Sequence, residues 1–216
     1  MPIVRAVLFD FDGVIADTEN VHVAAWQRTF AAMGWDEPDE SCARAAEADD
    51  RVFLAEVFAR RKIDGGNVEG WARRKQDLTV ALLADSPRIY PGVAALVDGL
   101  RGKARLAVVS TTWRANIEAV LKAAGLLDAF EVLIGKEDVQ APKPDPEGYC
   151  LALSRLKLPA NEAVALEDSP AGLAAARGAG LRVVAVGHRR PEGDWVGDAP
   201  IVANLSETSL VLEAIG

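Results

Sequence analysis

Asp10 and Asp12 stand two residues apart behind the apolar run Val4-Arg5-Ala6-Val7-Leu8-Phe9, with Phe11 between them and Gly13-Val14 following. The run reads as a buried parallel strand entering a tight turn, and side-chain alternation sends both acids to one side of its carboxyl end. Two anions that close repel, so the pair implies a divalent cation or a shared proton. A second apolar run, Val164-Ala165-Leu166, also ends in acids, Glu167 and Asp168, with Ser169, Pro170 and Gly172 behind them. Paired acids with neither His nor Cys beside them suit an oxygen-ligated metal better than zinc. Val108-Val109 leads into Ser110-Thr111-Thr112, where hydroxyls and backbone N–H groups at a helix start form a cradle for phosphate oxygens. Lys143, stiffened between Pro142 and Pro144, loses little entropy on pairing with an anion. Each stretch alone has a plainer reading as a turn, a helix cap or a surface lysine. Taken together they form a set for phosphoryl transfer: a carboxylate nucleophile, a carboxylate acid/base, a hydroxyl and a lysine on phosphate oxygens, and magnesium bridging the acids.

The elements that must position these residues follow from the pattern. After the first strand come helical segments, Thr18 to Met33, Arg51 to Arg61 and Val68 to Leu83, with a polar, acid-rich stretch from Asp36 to Asp50 between the first two and a Gly65-Gly66-Asn67 turn before the third. From Pro91 helices and strands alternate: strands at Leu106–Val109, Glu131–Ile134, Ala163–Leu166 and Arg182–Val186, and helices at Val93–Leu100, Asn116–Ala124, Pro146–Leu156, Pro170–Ala179 and Ser206–Ala214. Such alternation predicts an α/β fold, a Rossmann-like parallel sheet covered by helices on both faces. The opening strand joins that sheet, because alone it cannot bury itself. Residues 1–15 and 89–216 are then the core domain and 16–88 a helical insertion. All four chemistry-bearing stretches meet at the carboxyl edge of the sheet.

The 216 residues, half of them hydrophobic, can bury a good core, and the net charge of −8 disfavours a general nucleic-acid binder. Cys42 and Cys150 lack paired spacing, so neither a disulfide framework nor a zinc site is expected. No signal peptide or membrane span is expected, which makes the cytoplasm the default and excludes a membrane partner. A monomer is expected, with Trp35 and Trp195 as candidate exposed aromatics.

The ordered set Asp-Phe-Asp-Gly-Val, Ser110-Thr111, Lys143-Pro144-Asp145-Pro146 and Glu167-Asp168-Ser169 resembles the haloacid dehalogenase superfamily of phosphohydrolases over nearly the whole chain. The resemblance implies Asp10 as the nucleophile that becomes an aspartyl-phosphate, and Asp12 as the group that protonates the leaving oxygen and then activates water. It also implies Ser110 and Lys143, with Thr111 and Thr112, on the transferred phosphoryl. Mg2+ would lie on Asp10, the main-chain carbonyl of Asp12, and Asp168, with Glu167 close by or bound. The insertion resembles the family's mobile cap, which closes over a small phosphorylated metabolite and selects it.

Asp17-Thr18-Glu19 followed by His22 and Trp26 is similar to the β-phosphoglucomutase-like, CbbY-like branch, and makes His22 and Trp26 candidate substrate contacts one helical turn apart. The chain departs from the mutase pattern. Ala46-Glu47-Ala48-Asp49-Asp50 is acidic where a mutase carries a Gly-x-Ser-Arg-like turn, and Trp113-Arg114 replaces the expected Asn. Hydrolysis of a phosphorylated sugar is therefore expected ahead of phosphomutase activity, with a non-catalytic sugar-phosphate sensor as the alternative of another class. The acid at Asp12 argues against a metal-free dehalogenase and against a phosphonate-cleaving enzyme. Arg73, Arg74, Lys75 and Arg114 are read as a solvated basic face that could still reach an anion.

Overall fold

In the computed structural model, which describes residues 4–46, 49–63, 66–190 and 194–216, the opening apolar run forms strand β1, Ala6–Phe9, buried along its whole length. The chain divides into two compact units, Met1–Asp17 with Arg88–Gly216, and Thr18–Pro87.

The unit Thr18–Pro87 holds helices α1 (Glu19–Ala32), α2 (Asp39–Ala46), α3 (Asp50–Arg60) and α4 (Val68–Asp85). Trp26 and Phe30 of α1 stack at 5.3 Å, and Phe53 of α3 meets Trp26 edge-on at 5.0 Å. Leu54 and Val57 of α3 and Cys42 and Ala45 of α2 complete this core. Helix starts are fixed by side chains: Asp49 accepts from the Arg51 N–H at 3.0 Å, and Asn67 from the Gly70 N–H at 2.8 Å.

Two expectations change here. The acid-rich stretch after Asp36, read as a polar connection, contains α2. Among the described residues its buried apolar stripe is Cys42 and Ala45, too short to register as periodicity. The helix is held by polar chemistry instead: Ser41 donates to Glu37 Oε1 at 2.8 Å, and Arg60 and Arg61 from the end of α3 both pair with that buried carboxylate. Nor is Trp35 an exposed aromatic, since it lies between Phe30 and Phe58 with the Arg61 guanidinium 4.7 Å above its ring.

The chain returns to the first unit at Arg88, whose carbonyl accepts from the Asp17 N–H at 2.8 Å, and the Tyr90 N–H donates to the Ile15 carbonyl at 2.9 Å. It then runs through α5 (Val93–Leu100), β2 (Arg105–Val109), α6 (Arg114–Ala123), β3 (Val132–Ile134), α7 (Glu147–Leu156), β4 (Ala163–Glu167), α8 (Pro170–Gly178), β5 (Arg182–Val186), β6 (Ile201–Val202) and α9 (Thr208–Ile215). Among the described residues the strands form one six-stranded sheet in the order β3-β2-β1-β4-β5-β6, with every pairing parallel. This bears out the Rossmann-like reading. Only β6 escaped it, being two residues long.

Both faces of the sheet are covered. Ala6, Leu8, Ala107, Val109, Ala163 and Ala165 pack with Tyr149 and Leu153 of α7 and Leu173 and Ala176 of α8. The alternate residues Val7, Phe9, Val108, Val164 and Leu166 are equally buried, and each large side chain so buried stabilises the fold by about 1.5–3 kcal/mol. Trp195 packs against the first of these clusters and is not an exposed aromatic. Among the described residues no helix is long and apolar enough to cross a membrane.

Candidate active site

Register brings the site together. Phe9 is paired with Val108 on one side and Leu166 on the other, so the next residues along three strands, Asp10, Val109-Ser110 and Glu167-Asp168, emerge side by side. They emerge where the strand order reverses, between β1 and β4, the point at which open parallel sheets leave a crevice for ligands. The Asp10 N–H still donates to Leu166 O at 2.9 Å and the Ser110 N–H to Ile134 O at 3.0 Å, so both residues are held as extensions of the sheet.

Lys143 ties this edge into a unit. Its Nζ donates to Asp10 Oδ1 at 2.7 Å, Glu167 Oε1 at 2.6 Å and the Val109 carbonyl at 2.9 Å, using all three ammonium protons. Burial pulls the lysine toward neutrality, but the charges of Asp10 and Glu167 outweigh it and hold the ammonium above its ordinary value. Glu167, completely buried, has its Oε1 also bonded to the Tyr149 hydroxyl at 2.6 Å, while Oε2 accepts from the Asp168 N–H at 3.2 Å. Burial first, and the Asp10 charge second, push its pKa up to about 7. Gly172 makes room for it: a Cβ there would lie 1.9 Å from Glu167 Oε2.

Asp168 is different. Its Oδ2 is buried and has no hydrogen-bond partner, and Arg189 approaches it only to 3.9 Å. Burial, then the charges of Asp10 and Glu167, push its pKa up to about 7. Oxygens of Asp10, Glu167 and Asp168 lie within 4.8 Å of one another. An all-carboxylate set with one orphaned oxygen and a single buried lysine against three acids fits a hard, oxygen-ligated divalent cation. The carboxylate of Asp12 is not in this cluster. Asp10 and Asp12, expected to project together, have separate partners: β1 ends at Phe9, Asp10 goes to Lys143, and Asp12 Oδ2 accepts from Ser110 Oγ at 3.4 Å.

The phosphate cradle is more occupied than its sequence suggests. The Thr112 N–H donates to Ser110 Oγ at 3.1 Å, Thr112 Oγ1 accepts from Asn116 at 2.9 Å, and the Arg114 N–H at the start of α6 is capped by Glu137 at 3.1 Å. Thr111 is exposed. Of the basic residues singled out from sequence, Arg73 and Arg74 are exposed, whereas Arg114 pairs with Asp138 and the Leu133 carbonyl. Lys75 is not on a solvated face: only 2 % exposed, it donates to Asp50 Oδ1 at 2.9 Å and lies 3.1 Å from His22 Nδ1. Trp26, a candidate substrate contact, is fully buried in the core of its own unit. In the acidic turn, Glu47 and Ala48 lie outside the described residues, Asp49 caps α3 and Asp50 holds Lys75.

Sequence reasoning did not reach Tyr149 or Arg189. Tyr149 is one apolar position of a helix until β4 supplies its acceptor, and Arg189 follows β5 in a loop with no motif.

Comparison with known proteins places these features in a family. A family model described as haloacid dehalogenase-like hydrolase matches residues 4–180. The protein CbbY of Cereibacter sphaeroides is 37 % identical over 192 residues, which is 84 % of this chain and 83 % of that one. A phosphorylated carbohydrates phosphatase of Thermotoga maritima is 28 % identical over 201 residues, 92 % of this chain and 93 % of its own. Among solved structures, a mutant of CbbY from Rhodobacter sphaeroides in complex with xylulose-(1,5)-bisphosphate superposes with a TM-score of 0.79 at 34 % identity, covering 95 % of this chain and 96 % of that one.

Proposed function

The chain belongs to the haloacid dehalogenase-like hydrolases, in their CbbY-like branch, and from that membership we propose that it is a magnesium-dependent phosphatase that hydrolyses a phosphorylated sugar through an aspartyl-phosphate at Asp10. The observation that carries the reading is the buried cluster of Asp10, Glu167 and Asp168, bound on one side by Lys143.

Asp10 uses Oδ1 for Lys143, and its second oxygen attacks phosphorus. As that O–P bond forms, the P–O bond to the sugar breaks and the leaving oxygen takes a proton from Asp12. Water then attacks the aspartyl-phosphate, giving its proton to the Asp12 carboxylate. The Asp10–phosphorus bond breaks, and inorganic phosphate leaves with both groups restored. Ser110, through its hydroxyl, and Lys143 orient the transferred group. Magnesium would be held by Asp10, Asp168 and the main-chain carbonyl of Asp12, with Glu167 behind them, and would supply neutralisation of the charge gathered there. Glu167, whose oxygens are bonded to Lys143, Tyr149 and the Asp168 N–H, acts mainly by holding the lysine.

Hydrolysis ahead of mutase chemistry is supported by the described part of the acidic turn, where Asp49 caps α3 and Asp50 is paired with Lys75, so that neither residue of the turn supplies a cation for a second phosphate. We read the unit Thr18–Pro87 as the family's cap, and the protein as a cytoplasmic monomer.

Phosphate release from a panel of sugar phosphates and bisphosphates, with magnesium and with chelator, tests the activity. Mass spectrometry after rapid acid quench tests the intermediate. The wild type is expected to gain one phosphoryl group at Asp10 and to depend on the metal, while Asp10→Asn folds but neither gains the group nor turns over. Full activity in Asp10→Asn, or in chelator, would refute the reading.

A further inference from the structure

His188 follows β5 and has no part in the chemistry described so far. We infer that it is a positioning residue for the reaction, locking the Asp12–Gly13 turn through a hydrogen bond to the Gly13 carbonyl. The inference rests on the role proposed for Asp12.

Three contacts define the ring. Its Nδ1 lies 3.2 Å from the Gly13 carbonyl, its Nε2 lies 3.2 Å from the Leu205 backbone N, and its face stacks on Tyr90 at 4.0 Å with 25° between the planes. A carbonyl only accepts and an amide N–H only donates, so both bonds exist together in one state alone: a neutral imidazole with the proton on Nδ1. Moving the proton to Nε2 would set a bare nitrogen against a carbonyl and an N–H against an N–H.

Each anchor is itself fixed. Leu205 is fully buried. Gly92, at φ +89°, approaches it so closely that a Cβ would lie 2.1 Å from the Leu205 carbonyl oxygen. Tyr90 is held by its own N–H bond to Ile15 at 2.9 Å. At the other end, Gly13 has φ +89° and a Cβ there would lie 2.0 Å from Asp168 Oδ2. His188 therefore grips the Gly13–Val14 peptide, and the residue it holds, Gly13, is joined through its own amide to Asp12 and faces Asp168 at its Cα. A shift of Gly13 by a fraction of an ångström displaces the acid/base and crowds the orphaned carboxylate together, and misplacement on that scale slows an enzyme far more than it weakens substrate binding. Burial holds the imidazole below its ordinary pKa, in keeping with the neutral form that both bonds require.

The test uses full-length enzyme with magnesium and p-nitrophenyl phosphate as a generic phosphomonoester. His188→Phe keeps the stack on Tyr90 and loses both hydrogen bonds, so kcat is expected to fall between about tenfold and a hundredfold with KM changed less than about twofold. His188→Asn regains an N–H toward the Gly13 carbonyl and is expected to recover most of kcat. Long-range 1H–15N correlation of the wild-type imidazole is expected to show the Nδ1–H tautomer. Wild-type kcat in His188→Phe, equal impairment in His188→Asn, or an Nε2–H tautomer overturns the inference. Should His188→Phe fail to fold, His188→Asn against His188→Ala makes the same comparison. If the wild type releases no phosphate from any monoester, the hydrolase reading fails separately, and the tautomer alone then decides whether His188 grips Gly13.

Discussion

The hydroxyl of Tyr149 donates to Glu167 Oε1 at 2.6 Å, on the same oxygen that accepts Lys143 Nζ at 2.6 Å. Neither the tyrosine nor the glutamate is exposed. A carboxylate in that position is costly unless its oxygens are bonded, and the hydroxyl is what allows Glu167 to stay where it can hold the lysine. Tyr149→Phe is expected to cost about 1.5–3 kcal/mol, the range for a buried hydrogen bond to a charged group. It should also lower kcat several-fold as Lys143 loosens, with KM little changed. Urea unfolding and steady-state kinetics measure both, and an unfolding midpoint equal to wild type would show that Oε1 finds its second donor elsewhere.

Gly172 lies in α8, where helix propensity favours alanine over glycine by about 1 kcal/mol. Space argues the other way, because the added Cβ would lie 1.9–2.1 Å from the carboxylate atoms of Glu167. Overlap of that size with a buried, fully bonded group outweighs the propensity gain. Gly172→Ala is therefore expected to be destabilised by thermal unfolding and to lose most of its activity; a stabilised, active variant would mean that Glu167 can move without consequence.

Removing one buried charge should have opposite effects with and without metal. Without it, burial and the charges of Asp10 and Glu167 penalise ionised Asp168, pushing its pKa from 3.8 to about 7. The folded chain then binds more protons than the unfolded one between those values, so this group's contribution falls as pH rises toward 7. Above that pH, metal-free Asp168→Asn should melt higher than metal-free wild type. Added magnesium should raise the wild type by about 2.7 kcal/mol at a hundredfold excess over its dissociation constant, and raise the variant far less. Equal magnesium shifts in both proteins would remove Asp168 from the metal site.

His22 gives the inserted unit its own acid response. Burial, then the charge of Lys75, lowers its pKa from 6.5 to about 3. As pH falls through 6.5 the unfolded chain takes up a proton that the folded chain refuses, so stability is lost in that window. Relative to His22→Gln, the wild type should lose up to about 1.4 kcal/mol for each pH unit between about pH 6 and pH 4. Parallel unfolding curves for the two proteins across that range would show that His22 titrates normally.

Much of this was legible in the residues. Asp10, Ser110, Glu167 and Asp168 could be placed at one sheet edge because each follows a short apolar run, and a parallel sheet sends all such ends the same way. Lys143 was recognisable between its prolines, but that it would bind Asp10 and Glu167 rather than wait for a ligand depends on distances no spacing encodes. Tyr149 and His188 were invisible for a related reason. Each makes its defining bond to a partner far along the chain, and neither breaks a local pattern. Helix α2 was missed because its apolar face, Cys42 and Ala45 among the described residues, is too short to show a period, and Lys75 because three consecutive basic residues look alike until one of them turns inward to Asp50.

The central place of β1 also governs when the protein can be finished. Ala6 lies opposite Arg105 on one side and Ala163 on the other, so β1 waits for two strands that follow it in the chain, and long-range parallel pairings of this kind form slowly. A nascent chain that has made everything up to α7 already carries Asp10, Ser110 and Lys143, yet has no β4 against which to set them. The buried acid cluster cannot close until β4 has paired, and on the proposed mechanism a chain truncated before Ala163 should be inert however well its helices form.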